Sequence, residues 1–394
     1  MRDTYTFERA NQILNNFIND KLTSYSSKRN FDFGSYDDNF TSGLSPFISR
    51  KILTEQFIVE KILQSLSFNS VEKYIQEICW RTYWKGYLEH RPKIWYNYLK
   101  EIELFAFKKE HPKYKNAISG QTGIDCFDSW TKELKQNNYL HNHTRMWFAS
   151  IWIHTLNLPW QLGAEYFLEE LYDADPASNT LSWRWVAGLH TQNKVYLANA
   201  ENIKKYTGGK FYPKDQLSIE SIPNSWEYFE PENISFTTYQ QPEQVKCLLM
   251  HENNLSLQDI PKFEYIFIQQ RSLQSIKRSN NVSNYIDKAL FSFKEKVRKN
   301  CAGKVILFTF ENFQIVKNFI LEKNINEIYA PYPSVGFLKS KLENLGKSEN
   351  IRFNFFCNNW ELLFWPHAKK GFFKLKKQIK PIIKDLNQMK LNLQ

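Results

Sequence analysis

Cysteine and glycine are both scarce in this 394-residue chain. There are 13 glycines and five cysteines, and Cys79, Cys126, Cys247, Cys301 and Cys357 lie far apart with no CxxC pair. An odd, dispersed set builds neither a disulfide framework nor a four-ligand metal or cluster site. No apolar run approaches the roughly 18 residues needed to span a bilayer, and the opening MRDTYTFERANQIL holds acids but no signal-length apolar core. GxGxxG, Walker and GxSxG sequences are absent, so no standard nucleotide or hydrolase fingerprint is present. His141-Asn142-His143 mimics a nuclease label, but no zinc ribbon or ββα pattern surrounds it. His111, His141, His143, His154 and His190 lack metal-ligand spacing. A cytoplasmic chain with no metal and no membrane span is the expectation.

What is present is positive charge and aromatic surface. Lys plus Arg number 52 against 41 Asp plus Glu, a formal charge of +11. That excess favours polyanions such as nucleic acid, and also anionic membrane surfaces; a genome rich in Lys, Asn and Ile codons would produce it too. Aromatic residues make up 16% of the chain, and the tryptophans crowd into the N-terminal half.

The periodicity predicts a multi-domain protein in which an all-helical N-terminal domain is followed by a doubly wound parallel α/β domain. Residues 1–210 read as helical, with helices over Val71–Leu88, Phe127–Lys135, Thr144–Thr155 and Gln161–Leu171. Residues 211–243, punctuated by Pro213, Pro223, Pro231 and Pro242, read as a linker. In 244–394, apolar runs at Val245–His251, Tyr265–Gln269, Lys304–Phe310, Glu327–Ala330 and Ile351–Phe356 read as buried strands. Helices alternate with them at Tyr285–Lys299, Phe313–Lys323 and Val335–Leu345. The tail from His367 is lysine-rich and predicts an amphipathic helix.

Three constellations could carry chemistry. In Phe40–Pro46, Ser45 before Pro46 predicts a helix N-cap with proline at the first helical position. Thr41 and Ser42 add hydroxyls beside unpaired helix-start N–H groups, a setting for phosphate or for plain capping. Glu77, Trp80 and Arg81 could line a pocket mouth or form a solvated helix face. From Leu140 to Gly188, Asn142 and Arg145 share a helical face, Asp173 and Asp175 follow a helix end, and Asn179 precedes Trp183 and Trp185. Each of these residues alone is explicable as ion pair or core; their joint occurrence points to a ligand.

Together these pieces resemble the photolyase/cryptochrome family of flavoproteins. The matching segments are Tyr25 with Lys28 and Arg29, TSGLSP from Thr41, EICWR from Glu77, TGIDCFDSW from Thr122, LHNHTRM from Leu140, and LYDADPASNTLSWRWVAG from Leu171. They cover about residues 20 to 210. The resemblance implies FAD inside the helical domain, held by Tyr25, Thr41, Ser42, Gly43, Leu44, Ser45, Arg81, Asn142, Arg145, Asp173, Ala174, Asp175 and Asn179. Asn179 would face flavin N5, a position that is Asn in repair enzymes and usually Asp or Cys in the plant and animal photoreceptors. Arg29, Glu77, Trp80, Met146 and Trp185 would meet DNA carrying a cyclobutane pyrimidine dimer, and Glu77 and Asn179 would assist the chemistry. Trp183 and Trp160 would pass electrons. The implied activity is light-driven repair by electron transfer from reduced FAD, in a monomer; the alternative is a cryptochrome-like blue-light receptor without repair.

Three departures stand out. Ala117 sits near the outer tryptophan of the family's electron chain, leaving Trp147, Trp152 or a tyrosine as another exit. The segment after Gly188 lacks the family's arginine-bearing loop. The α/β domain comes last rather than first. VKCLLMHENNLSLQDIP from Val245 resembles the opening of the family's antenna domain and WELLFWPHAKKGFF its exit. The resemblance therefore implies a circular permutation, and leaves open whether the displaced domain holds a pterin, a deazaflavin or nothing as an antenna.

Overall fold

The computed structural model describes residues 5–34, 39–192, 194–258 and 260–391, with side chains to Leu386. The first half is helical: α1 (Phe7–Asp20), α2 (Leu22–Lys28), α3 (Ser45–Ser49), α4 (Glu55–Leu63), α5 (Phe68–Glu89), α6 (Pro92–Phe105), α7 (Pro112–Ser119), α8 (Asp125–Asn137), α9 (Asn142–Ser150), α10 (Trp160–Glu170), α11 (Pro176–Val186) and α12 (Ala200–Tyr206). Strands β1 (Gln244–Met250), β2 (Lys262–Gln269), β3 (Lys304–Phe308), β4 (Glu327–Pro331) and β5 (Arg352–Phe356) follow. Helices α13 (Asn280–Asn300), α14 (Gln314–Glu322) and α15 (Phe337–Glu349) connect them, and α16 (Asn359–Phe364), α17 (Phe372–Lys376) and α18 (Ile379–Leu391) close the chain.

Two compact units form. One comprises Met1–Asn16, Leu44–His90 and Pro231–Gln394; the other comprises Phe17–Gly43 and Arg91–Glu230. Helices α3, α4 and α5 fall in the same unit as the sheet.

In the sheet-bearing unit every strand pairing is parallel and the order is β3-β2-β1-β4-β5. Parallel strands are covered by helices and read as apolar runs; the central β1 is buried over residues 247–250, whereas the edge strands β3 and β5 are only half-buried along most of their length. Cys247, Leu249, Phe267, Ile328 and Ala330 pack with Val316 and Ile320 of α14 and Leu338 and Leu342 of α15. Helix α5 adds a layer of its own. Thr82 accepts from Trp360 Nε1 at 2.9 Å. A Cβ on Gly86 would lie 2.7 Å from Ala368 and 2.8 Å from the Trp365 ring, so glycine permits that approach.

The helical unit is built on aromatic side chains. Phe127 stacks on Phe148 at 4.3 Å and Trp130 on Trp147 at 5.7 Å. Helix α9 runs on into a wider π turn at Ile151–Thr155, so the single predicted helix over Thr144–Thr155 is two geometries. No helix among the described residues is long and apolar enough to cross a membrane.

Candidate functional site

In the helical unit the polar residues of the Leu140–Gly188 stretch gather around the start of α11. Arg145 Nη2 donates to Asp173 Oδ2 at 3.0 Å, its Nε donates to Leu140 O at 2.9 Å, and its guanidinium lies 5.2 Å from the Tyr139 ring. The Asp173 side chain is 2% exposed and that of Arg145 23%. Asp175 is the N-cap of α11, accepting from Ser178 N at 2.9 Å ahead of Pro176. One turn on, Asn179 Nδ2 donates to Ala164 O at 2.7 Å. That bond fixes the amide and leaves Oδ1 as the end that can accept from a ligand N–H.

Asn142 opens α9 and is exposed, with Met146 half-buried one turn later. Ala174 is half-buried between the two aspartates. Tyr25 is buried against Phe17, and Arg29 caps α2 as a half-buried residue. Thr41 and Ser42 are half-buried beside Gly43, which takes φ +67°. Ser178 Oγ and Thr180 Oγ1, on either side of Asn179, are buried without a hydrogen-bond partner among the described residues. Orphaned buried hydroxyls are costly, and a ligand with a hydrogen-bonding edge would satisfy such groups. These residues fit FAD.

The indoles fall into separate groups. Among the described residues Trp183 makes ring contacts with Trp152 at 6.2 Å and Phe167 at 5.1 Å. Trp152 in turn contacts Tyr114 of α7 at 5.7 Å and Tyr166 at 6.3 Å. Trp160 instead stacks on Tyr98 at 5.4 Å, with the Arg184 guanidinium 5.8 Å away. Gly163 permits the Trp183–Trp152 approach: a Cβ there would lie 2.3 Å from Trp183 and 2.9 Å from Trp152 Nε1. Tyr114 is one turn from Ala117, near the spot where the outer tryptophan is missing. Trp185 stacks on Tyr196 at 5.4 Å.

Sequence reasoning missed Asp32 and Glu133. Asp32 is buried, accepts from Thr144 Oγ1, and takes further bonds from Asn39 Nδ2 at 3.3 Å and Gly34 N at 2.9 Å. Burial, with Asp32 nearby, raises Glu133 to about 7. Burial also lowers His141 to about 4, keeping it neutral as the cap of α9. No local signal marks Asp32, because its partner Thr144 is 112 residues away.

The sheet-bearing unit holds the other predicted residues. Glu77 pairs with Lys73 at 2.8 Å, and Arg81 is half-buried. Trp80 is covered: Phe372 of α17 lies flat on it, 3.7 Å between ring centroids at 11°. Leu44 is buried. Ser45 is not the predicted N-cap; Leu44 occupies that position and makes no side-chain cap bond, so Ser45 is already helical. Proline is tolerated in the first turn generally, so Pro46 does not specify which residue caps.

Open α/β sheets take ligands beyond the strand carboxyl ends where the order reverses, here between β1 and β4. That end is filled by the chain itself. Glu252 accepts from Arg278 Nη2 at 2.5 Å, Leu273 N at 2.7 Å and Gln269 Nε2 at 3.0 Å, with Arg50 at 3.7 Å. Burial opposes its charge, but Arg278 and Arg50 prevail and hold it at about 2. After β4, Tyr332 Oη and Val335 N donate to Glu89 of α5 at 2.8 and 2.6 Å. His251 Nε2 meets Pro331 O at 2.9 Å, leaving Nδ1 as a lone buried acceptor without a partner among the described residues. One acceptor is no cradle, and these residues do not fit a pterin or deazaflavin.

Residues 74–215 match the FAD binding domain of DNA photolyase. A deoxyribodipyrimidine photo-lyase of Agrobacterium fabrum is 30% identical over 179 residues, 44% of this chain and 36% of that protein. One from Alkalihalophilus pseudofirmus is 27% identical over 274 residues, 65% and 53% of the two chains. Cryptochrome-1 of Arabidopsis thaliana is 25% identical over 242 residues, 56% and 34%. The chain thus spans about half or less of the length of these relatives. A solved bacterial class III photolyase from Agrobacterium tumefaciens superposes with a TM-score of 0.45 at 27% identity, covering 54% of this chain and 44% of that one.

Proposed function

From the match of residues 74–215 to the FAD binding domain of DNA photolyase, we propose that the chain is a photolyase-like flavoprotein, a light-driven DNA repair enzyme that splits cyclobutane pyrimidine dimers. The observation that carries this reading is the buried polar edge at the start of α11, where Asp173, Asp175 and the amide Asn179 are each held in one orientation. Bound FAD supplies the light absorption and the electron donated to the lesion. The protein's part is to bind, orient and exclude water.

Arg145 and Asp173 neutralise each other, so neither enters the interior as a bare charge. Asp175 is locked by its capping bond and Asn179 by Ala164, leaving fixed acceptors for a flavin edge. Tyr25, Thr41, Ser42, Gly43, Asn142 and Ala174 complete the set in the helical unit; Leu44, Ser45 and Arg81 carry the same role on the resemblance. For resupply of electrons we assign Trp183, Trp152 and Tyr114, whose rings touch in series, ahead of Trp160.

The substrate in this reading is DNA bearing the dimer, bound by a cytoplasmic monomer, with Arg29, Glu77, Trp80, Met146 and Trp185 toward the lesion. Photolyases as a class take the damaged base out of the stack, and its weakened pairing lowers that cost. Trp80 has one face under Phe372, so only the other can meet a base. This covering supports the second reading, a blue-light receptor that binds FAD and repairs nothing.

The test is illumination of the purified, photoreduced chain with a dimer-containing oligonucleotide. Restored thymines are expected. No restoration despite bound reduced FAD would leave the receptor reading, and a preparation without flavin absorbance would overturn both.

A further inference from the structure

The lysine-rich tail has no role in the site described above, yet its geometry is specific. Between Lys369 and Lys384 stand seven lysines, and Asp385 is the sole acid from Pro366 to Leu386. Helices α17 and α18 sort them. Phe372, Leu375, Ile379, Ile382, Ile383 and Leu386 are buried, whereas Lys370 just ahead of α17, Lys374 within it, Lys377 between the two helices, and Lys380 and Lys384 of α18 are exposed. Among the described residues Lys370, Lys374, Lys377 and Lys384 make no ion pair with a carboxylate. One large aromatic joins them on the surface: Phe373, 75% exposed. Its neighbour Phe372 is the ring stacked on Trp80.

We propose that this face is a DNA contact, with Lys370, Lys374 and Lys377 on backbone phosphates and Phe373 stacking on a base. The inference rests on the repair reading for its choice of DNA as the polyanion. Charge complementarity selects the partner. An amphipathic helix on an anionic membrane must insert its apolar face, and here that face is buried within the unit. What is left outside is charge plus one ring, the combination that single-stranded nucleic acid sites use.

The experiment is dark binding of the full chain to a fluorescent single strand and to a duplex, titrated over salt concentration. K370Q/K374Q/K377Q is compared with K132Q/K299Q/K347Q, which removes the same charge from exposed lysines elsewhere. For the duplex, the slope of log affinity against log salt should become shallower by about 2 to 3 in the tail variant, near 0.9 per lost phosphate contact. The control should change by less than about 1. F373A should weaken single-strand binding at least about fivefold without changing the slope.

Equal slopes for the two triple variants, or no DNA binding by the unsubstituted chain, would overturn the proposal. So would tail-dependent binding to phosphatidylserine/phosphatidylcholine vesicles with DNA binding unaltered, which would assign the face to lipid. Because binding is read in the dark, a chain that passes this test but restores no thymines sinks the repair reading alone.

Discussion

Asp173 and Glu252 are both nearly inaccessible carboxylates held by arginine, and they differ in what surrounds the pair. Glu252 lies between two guanidiniums 5% and 7% exposed and takes further bonds from a backbone N–H and an amide. Asp173 pairs with Arg145, which keeps 23% of its side chain exposed, and orphaned hydroxyls stand nearby on α11. A saturated buried network specifies packing, whereas a pair open on one side can present charge to a ligand. On that difference Glu252 is architecture, and Asp173 is the one we propose as part of a site.

The sharpest way to break this contrast is to remove each carboxylate. Glu252→Ala leaves two buried arginines uncompensated and should destabilise the protein by about 3–5 kcal/mol, read as a fall in thermal midpoint, with flavin content per folded molecule unchanged. Asp173→Ala should do the reverse: a cost of roughly 1–3 kcal/mol appearing chiefly as lost flavin absorbance in a folded chain. Full flavin retention there would move the site elsewhere.

The same logic separates the indoles. Trp152→Phe should slow light-driven flavin reduction with an added thiol severalfold, and Trp160→Phe less; the opposite order would restore Trp160 as the relay. Chromophores released from the whole chain by denaturation should comprise FAD and no pterin or deazaflavin, since at the sheet's carboxyl end Glu89 and Glu252 are bound by the chain itself.

The smallest expected effect concerns pH. Burial, with Asp32 nearby, raises Glu133 to about 7, above its unfolded value. The folded state therefore keeps a proton that the unfolded state releases, so this residue's contribution to stability falls as pH rises from about 4.5 to 7. Glu133→Gln should remove that slope from denaturant midpoints measured across the interval.

Much of this was legible beforehand, and for a physical reason. Each of the five strands was readable within a few residues, because strands of a parallel sheet are apolar runs between helices. Val245–His251 is observed as Gln244–Met250 and Glu327–Ala330 as Glu327–Pro331. Arg145 and Asp173 were each readable as candidates through motif resemblance. The cap at Leu44, the π turn at Ile151–Thr155 and the buried Asp32 were not, because each depends on neighbours distant in the chain or on one residue's backbone angles.

By itself the sequence determined the alternation of helix and strand, the charge excess and the FAD-binding motifs, since these rest on local periodicity and short-range spacing. Only the tertiary structure decided which ring touches which and where buried charge is closed off. Trp183 meets Trp152 because Gly163 leaves room. Phe372 covers Trp80, and Glu89 reaches Tyr332 243 residues away. Such partners are chosen by packing across long loops, a choice no local pattern records.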